Sequence, residues 1–237
     1  MEKFAKETEK LIGTPLSETQ IEAFKLFENE LLSWNEKFNL TAIREISQIR
    51  SKHFLDSLTC ALAFGEKKSG RLIDVGTGAG FPGIPLKILI PQLKVTLVES
   101  IGKKARFCEH IIHQLGLENV KVIQSRAEDL GQNPEYREKF DWAVARAVAN
   151  LPILVEYLLP LVRIGGKVIA QKGGSAPAEA HQSDHAIHVL GGRLKQLLPV
   201  VIPGVAEERY LVVIDKIGAT PRMYPRNSGT PSKKPLS

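Results

Sequence analysis

The segment Leu-Ile-Asp-Val-Gly-Thr-Gly-Ala-Gly-Phe-Pro-Gly occupies residues 72–83. It joins a short apolar strand to a turn that has glycine at every second position. Pro82 marks the start of the following helix, because proline suits a first helical turn and few interior positions. Glycines let backbone N–H groups approach a ligand closely. The segment is typical of a nucleoside-cofactor site, and a turn that only tightens strand–helix packing is the alternative.

A second acidic residue supports a cofactor site. Glu99 ends the apolar run 94–98, twenty-five residues after Asp74, and a carboxylate at this point can hold ribose hydroxyls. Dinucleotide sites prefer G-x-G-x-x-G and place a pyrophosphate at the helix N-terminus. Here the spacing is G-x-G-x-G, from Gly76 and Gly78 onward, and a carboxylate precedes it. Because a carboxylate attracts a cation and repels a pyrophosphate, the pattern favours S-adenosylmethionine, which carries a sulfonium and no phosphate.

Strands and helices alternate after Arg71, which indicates a mostly parallel sheet. The last two strands are joined by a short loop and should pair antiparallel. We therefore expect an α/β, Rossmann-like class I S-adenosylmethionine-dependent methyltransferase, with a seven-stranded sheet, helices on both faces and an N-terminal helical extension. The predicted strands are 71–75, 94–98, 120–124, 140–145, 166–171, 194–202 and 208–217, and the predicted helices are 82–90, 101–115 and 149–162.

The N-terminal part of the chain reads as helical. Ser17 and Gln20 fit a capping box, and apolar side chains then recur at three- and four-residue steps as far as Phe38. A further helix begins near Ile46. We expect three regions, which are a helical extension (1–66), a cofactor-binding methyltransferase domain (67–217) and a loosely ordered, basic, proline-rich tail (218–237).

Positive charge is concentrated near the glycine-rich turn and at the C-terminus. The net charge of the 237-residue chain is +6, and the tail 218–237 carries four bases and no acid. Residues 41–71 carry six bases against three acids. Such patches attract phosphate backbones, although a basic tail is often only a solubilising end. Nucleic acid is the favoured partner on charge alone.

Other features of the chain exclude several classes. No apolar run approaches the roughly 20 residues needed to cross a membrane, and the charged start lacks the apolar region of a signal peptide. Cys60 and Cys108 lie in apolar helical patterns, where buried reduced thiols are the default. No Cys/His cluster has metal-ligand spacing, so we expect no metal. The chain reads as a soluble cytoplasmic protein.

Loops that follow the strands carry further candidates, because ligands bind outside the carboxyl ends of such strands. Glu128 and a neighbouring backbone N–H are placed to bind adenine, and a solvated loop carboxylate is the alternative. Arg146 is flanked by alanines, where a guanidinium is costly unless it is paired; a structural ion pair with Asp74 or Glu99 is the alternative. Lys172 is a candidate for facing substrate phosphate.

One histidine is suggestive. His53 has Arg50, Lys52 and Asp56 within a turn, although a surface or capping role is favoured over catalysis. The chain has no assignable Ser/His/Asp or Cys/His arrangement, and no Asn-Pro-Pro-Tyr-like tetrapeptide follows the fourth strand. These absences favour a nucleophile that already has a free lone pair.

Several segments together closely resemble the bacterial GidB/RsmG-type 16S ribosomal RNA guanine-N7 methyltransferases, over nearly the whole chain. The matching segments are 34–35, 38–41, 53–57, 74–86, 99–104, 126–128, 146–147 and 171–173. The resemblance implies cofactor contacts at Gly76, Phe81, Ala127, Glu128 and Arg146, and methylation of one guanine in the 530-loop region. Phe81 stands where many members have leucine, and Glu99 where some have aspartate.

The hypothesis that follows is methyl transfer to guanine N7, which has no proton to lose and needs no general base. Arg146, Asp56 and His53 are positioning candidates, and none is assigned as catalytic. Because N7 faces a narrow groove in A-form RNA, the target guanine must be unpaired or flipped out. The expected partner is 16S rRNA, the 30S subunit or an assembly intermediate, with no membrane, for a monomer. The candidates for RNA contact are Arg50, Lys52, His53, Lys103, Lys104, Arg106 and Lys172.

Two other functions remain open on the sequence alone. A small-molecule methyltransferase would use the same fold, and the basic patches argue against it. A non-catalytic rRNA-binding or assembly protein would also keep the fold. The intact Asp74, Gly76, Gly78, Glu99 and Glu128 argue against that alternative.

Overall fold

The computed structural model describes residues 1–66 and 69–236. Its strands are β1 (Gly70–Val75), β2 (Leu93–Val98), β3 (Val120–Ile123), β4 (Phe140–Arg146), β5 (Val162–Lys172), β6 (Gly192–Val200) and β7 (Arg209–Lys216). They form one seven-stranded sheet in the order β3-β2-β1-β4-β5-β7-β6. β1 to β5 pair in parallel, and β7 runs antiparallel to both of its neighbours. The predicted seven-stranded α/β fold class and its antiparallel closing pair are confirmed.

Helices cover both faces of the sheet. Leu72 and Ile73 are neighbours on β1 and point to opposite faces, and each packs into a different apolar cluster. The α-helices that follow β1 are Gly83–Leu89, Gly102–Gln114, Ala127–Gln132, Leu151–Leu158, Ala176–Gln182, Asp184–Val189 and Thr230–Lys233, with a 3₁₀ turn at Leu159–Leu161.

The predicted elements match the observed ones closely, with three main differences. The helix Ala127–Gln132 lies where no helix was predicted. β5 begins at Val162, four residues before the prediction, and its extra residues end at Gly165, which adjoins Gly166. The polar stretch 173–192 holds two short helices. Each buries alanine on a single face, such as Ala176 and Ala186, which is too narrow a stripe to identify from periodicity.

The N-terminal helices are Glu2–Ile12 and Glu18–Phe38, followed by a continuous helical segment, 46–63, that is π-helical over Ile49–Leu55. Ser17 and Gln20 form the predicted capping box. The extension shares one apolar core with the glycine-rich turn, because Phe27 stacks on Phe81 with ring centroids 5.1 Å apart. The helices therefore form one side of the region around the turn.

The C-terminal tail packs on the domain. Glu156 is completely buried and binds Arg226 at 2.7 Å. Gln132 donates to the carbonyl of Pro225 at 2.6 Å, and Pro231 is buried. The expectation of a loosely ordered tail is therefore wrong for residues 218–236, because its polar groups find partners on the domain that composition alone does not reveal.

Candidate functional site

The glycine-rich turn connects β1 to the helix Gly83–Leu89, whose start agrees with the prediction at Pro82. Gly76, Gly78 and Gly80 have φ values of 69°, 61° and 90°, a region that other residues rarely adopt. A Cβ on Gly76 would lie 2.6 Å from Val148, whereas one on Gly78 would meet no atom within 4 Å. The turn therefore packs tightly on one side and is open to a ligand on the other.

Asp74 is completely buried beneath this turn. Its Oδ2 accepts hydrogen bonds from the Thr77 hydroxyl at 2.6 Å and from the Gly83 N–H at 2.8 Å. Its Oδ1 is buried without a hydrogen-bond partner. Burial raises the pKa of the carboxyl to about 7, against the opposing effect of the two hydrogen bonds. Asp74 therefore fixes the shape of the turn from below.

Glu99 lies at the end of β2 and is nearly buried. Its Oε2 accepts from the Gly78 N–H at 2.9 Å, and its Oε1 accepts from the Ile101 N–H at 2.8 Å. Each carboxylate oxygen has a second lone pair, so both remain able to accept from ribose hydroxyls. Glu99 therefore lies next to the glycine-rich turn, as the sequence predicts.

A cavity of about 510 Å³ opens beside the turn. One wall is the turn itself, with Gly76, Gly78 and Phe81, and the opposite wall comes from residues 40–56 of the N-terminal extension. The carboxyl ends of β4 and β5 close the base with Arg146 and Lys172. The cavity therefore lies where the seven-stranded sheet meets the helical extension.

Arg146 organises the base of the cavity. Its Nη1 donates to Asp56 Oδ2 at 2.8 Å and to the Lys52 carbonyl at 3.0 Å, and the guanidinium lies over the Phe81 ring at 5.2 Å. Asp56 is also 3.9 Å from Arg209, the first residue of β7. Arg146 thus pairs with Asp56, and neither Asp74 nor Glu99 is the ion-pair partner that the sequence suggested.

His53 lines the cavity beside Arg146. Its ring stacks on Phe81 with centroids 4.6 Å apart, Nδ1 lies 3.2 Å from Arg146 Nη2, and Nε2 lies 2.9 Å from Thr41 Oγ1. Burial, together with the positive charge of Arg146, lowers the pKa of the imidazole to about 3. His53 is not a free surface residue, because its half-buried ring contacts Phe81, Thr41 and Arg146, and this environment favours the neutral imidazole.

Ala127 and Glu128 are the first residues of the helix Ala127–Gln132, which follows β3, and they do not line the cavity. Both are buried, and Glu128 Oε1 accepts from the Gly229 N–H of the tail at 2.9 Å. The tail therefore reaches the position at which the sequence predicts adenine binding.

The candidates for RNA contact divide into paired and accessible groups. Arg50 makes two hydrogen bonds to the buried Glu28, at 2.6 and 2.8 Å. Lys172 binds Glu179 at 2.7 Å, which neutralises its charge in the cavity wall. Those at or near the surface are Lys52, which pairs with the exposed Glu207 at 2.8 Å, and Lys103, Lys104 and Arg106 in the first turns of the helix after β2.

Sequence reasoning missed three residues that shape the cavity. Thr41 carries the hydroxyl that His53 contacts, Gln171 donates to the Asp56 carbonyl at 2.6 Å, and Arg209 adds a cation. Thr41 and Gln171 both belong to segments that matched the family, and that match was the available signal for them. No signal in the sequence pointed to Arg209, because only the antiparallel placement of β7 brings this residue to the end of the sheet that lines the cavity.

The strand order, the glycine-rich turn and the acidic residues at or just beyond the carboxyl ends of β1, β2 and β3 define a class I S-adenosylmethionine-dependent methyltransferase. A family model described as GidB, rRNA small subunit methyltransferase G, matches residues 20–206. The chain belongs to this family. Its methyl donor is S-adenosylmethionine.

Individual relatives are similar over nearly the whole chain. A ribosomal RNA small subunit methyltransferase G from Roseiflexus castenholzii (strain DSM 13941 / HLO8) is 52% identical, covering 94% of this chain and 95% of the relative. The protein of the same name from Alkaliphilus metalliredigens (strain QYMF) is 48% identical, covering 95% and 94%. A SAM-dependent methyltransferase from Aquifex aeolicus has the same fold, with a TM-score of 0.56 and 18% identity, over 76% of this chain and 97% of that one.

In residues 1–66 and 69–236, no helix is long and apolar enough to cross a membrane. Within the same residues, no group of three His, Cys, Asp or Glu side chains is placed to hold a metal ion.

Proposed function

We propose that the protein transfers a methyl group from S-adenosylmethionine to N7 of one guanine in the 530-loop region of 16S rRNA. The observation that supports this most is the cavity in which the glycine-rich turn lies beside Arg146 and faces polar side chains of the extension, such as Thr41 and His53. Family membership supports an rRNA substrate. We further propose that a monomer acts in the cytoplasm on 16S rRNA, on the 30S subunit or on an assembly intermediate.

The residues around the turn fit a cationic cofactor without phosphate. Open space lies beside Gly78, and Asp74, Glu99 and Glu128 bring three carboxylates to this side of the sheet. When bound, S-adenosylmethionine supplies an electrophilic methyl group on a sulfonium. The proposed contacts are Gly76, Gly78, Phe81, Glu99, Ala127, Glu128 and Arg146, with Asp74 acting through the turn it holds.

The protein's own residues supply position and charge in this reaction. Guanine N7 attacks with a lone pair and loses no proton, so no group in the cavity has to act as a general base. Asp56 is held by Arg146 at 2.8 Å and lines the cavity, and its negative charge favours the positive charge that the methylated guanine gains. Rate enhancement then comes from alignment in a preorganised polar site.

Labelled methyl transfer tests this function. The protein is incubated with S-adenosylmethionine carrying a labelled methyl group, and with 16S rRNA, 30S subunits or a pool of small metabolites in separate reactions. We expect label in at least one RNA-containing sample. Label only in small molecules would establish the small-molecule alternative, and label in no sample would favour a non-catalytic binding protein.

Charge reversal tests the proposed RNA surface. Replacing Lys103 and Lys104 by glutamate should weaken RNA binding and flatten its salt dependence, because fewer counterions are released. The matched control reverses Lys94 and Lys121, which are exposed near the amino ends of β2 and β3, away from the cavity. Equal losses in both variants, measured by filter binding across a salt series, would contradict the placement of the surface.

A further inference from the structure

A series of hydrogen-bond contacts runs from Arg146 through His53 to Thr41. A guanidinium carries donors and no acceptor, so Arg146 Nη2 must donate to His53 Nδ1, 3.2 Å away. We therefore assign the imidazole proton to Nε2, since the ring is neutral and Nδ1 is the acceptor. Arg146 thus fixes the tautomer of His53.

The hydrogen bonds continue from His53 to Thr41. His53 Nε2–H donates to Thr41 Oγ1 at 2.9 Å, and the backbone N–H of Ile43 donates to the same oxygen at 3.1 Å. A hydroxyl oxygen has two lone pairs, and both are now used. The hydroxyl of Thr41 must therefore act as a donor, and no acceptor for its proton appears in residues 1–66 or 69–236.

Thr41 is held in place and faces the cavity. Its backbone N–H donates to the side chain of the nearly buried Asn35 at 2.9 Å. Its side chain lines the cavity together with the glycine-rich turn and Arg146. The site therefore presents one oriented, unsatisfied donor on the wall opposite the turn.

We propose that the Thr41 hydroxyl donates a hydrogen bond to O6 of the target guanine and thereby selects guanine over adenine. On this edge guanine presents two acceptors, N7 and O6, whereas adenine presents an amino donor in place of O6. The contact goes to O6 because the lone pair of N7 must stay free to attack the methyl group. A donor that Arg146 and His53 lock in direction cannot turn to accept from an adenine amino group. This inference rests on the proposed function.

The test uses RNA with 2-aminopurine at the target position, which keeps N7 and lacks O6. The 16S rRNA is joined from fragments so that this single position carries guanine or 2-aminopurine, and it is assembled into 30S subunits if these are the substrate. Single-turnover methyl transfer is measured for the parent protein, for Thr41→Val and for Thr41→Ser. Thr19→Val, exposed on the helix Glu18–Phe38, is the control for the substitution itself.

The parent should methylate guanine about 10- to 100-fold faster than 2-aminopurine, the range expected for a good base contact. Thr41→Val should slow transfer to guanine by a similar factor and leave transfer to 2-aminopurine nearly unchanged, so that the preference disappears. Thr41→Ser and Thr19→Val should keep the preference.

An equal loss on both substrates for Thr41→Val would overturn the proposal, since it would mean a purely structural role. A preserved preference in Thr41→Val would overturn it as well. A parent protein that methylates neither RNA would instead contradict the proposed function, so the two failures are distinguishable. Calorimetric binding of S-adenosylmethionine to each variant reports separately on the cofactor site.

Discussion

The pair formed by Arg146 and Asp56 should be the most stability-sensitive contact of the cavity. Their side chains are only 15% and 7% exposed and lie 2.8 Å apart. Removing one partner of a buried pair costs about 3–5 kcal/mol, because the other charge is left without compensation. In Arg146→Ala, Arg209 remains 3.9 Å from Asp56 and partly compensates its charge. We therefore expect this variant to lose about 3 kcal/mol of its free energy of unfolding, the lower end of that range.

The assay is urea denaturation at pH 8, followed by circular dichroism, for Arg146→Ala, Asp56→Ala and the double variant. The losses in free energy of unfolding for the two single variants should add up to more than the loss for the double variant. The difference should be about 1–3 kcal/mol, because the effects of residues in contact are coupled. Arg163→Ala is the matched control, because Arg163 is 48% exposed in its pair with Asp141 and should cost below about 1 kcal/mol. Additive losses, or a loss for Arg146→Ala as small as for the control, would refute the reasoning.

The same measurement with S-adenosylmethionine separates binding from stability. A ligand stabilises the folded protein in proportion to the logarithm of its concentration over Kd. If Arg146 helps to hold the cofactor, its alanine variant should gain less stability than the parent at the same ligand concentration. An equal gain would assign Arg146 a structural role alone.

Three further predictions concern stability. Glu156→Gln should cost about 1–3 kcal/mol and make the tail sensitive to limited proteolysis, because it weakens the buried pair with Arg226; a protected tail would contradict this. Burial raises the pKa of Asp74 to about 7, above the ordinary value of 3.8. The folded state therefore holds the proton more tightly, and its stability falls as pH rises between these values, by at most about 4 kcal/mol. Asp74→Asn should lack this fall in urea titrations at pH 5 and pH 8, and a parallel fall in both proteins would exclude Asp74 as its source. Ser17→Ala should cost about 1 kcal/mol by removing the cap on Gln20 N–H, with no change in methyl transfer.

Much of the fold could be predicted because local patterns decide it. The alternation of strands and helices after Arg71 predicted the parallel part of the sheet, and the short loop before β7 predicted the antiparallel pair. The tail could not be predicted, because its order depends on partners far along the chain. Arg226 meets Glu156 across 70 residues, and neither composition nor periodicity records such a contact.

The cofactor side of the site was more predictable than the substrate side. Gly76, Gly78 and Glu99 lie next to strand ends, where the fold itself brings ligands. Thr41 and His53 come from the extension, and their positions depend on packing of Phe27 and His53 against Phe81. Side chains that meet through tertiary packing leave no spacing rule in the sequence.

The atom that receives the methyl group decides whether the proposed reaction is the right one. RNA labelled by the protein is digested to nucleosides, and the label is located by chromatography and mass spectrometry. A parallel reaction uses RNA in which guanosine is replaced by 7-deazaguanosine, which has no N7. The account predicts label in 7-methylguanosine at a single position and none in the deaza RNA. Label on another atom or base, or undiminished labelling of the deaza RNA, would contradict it.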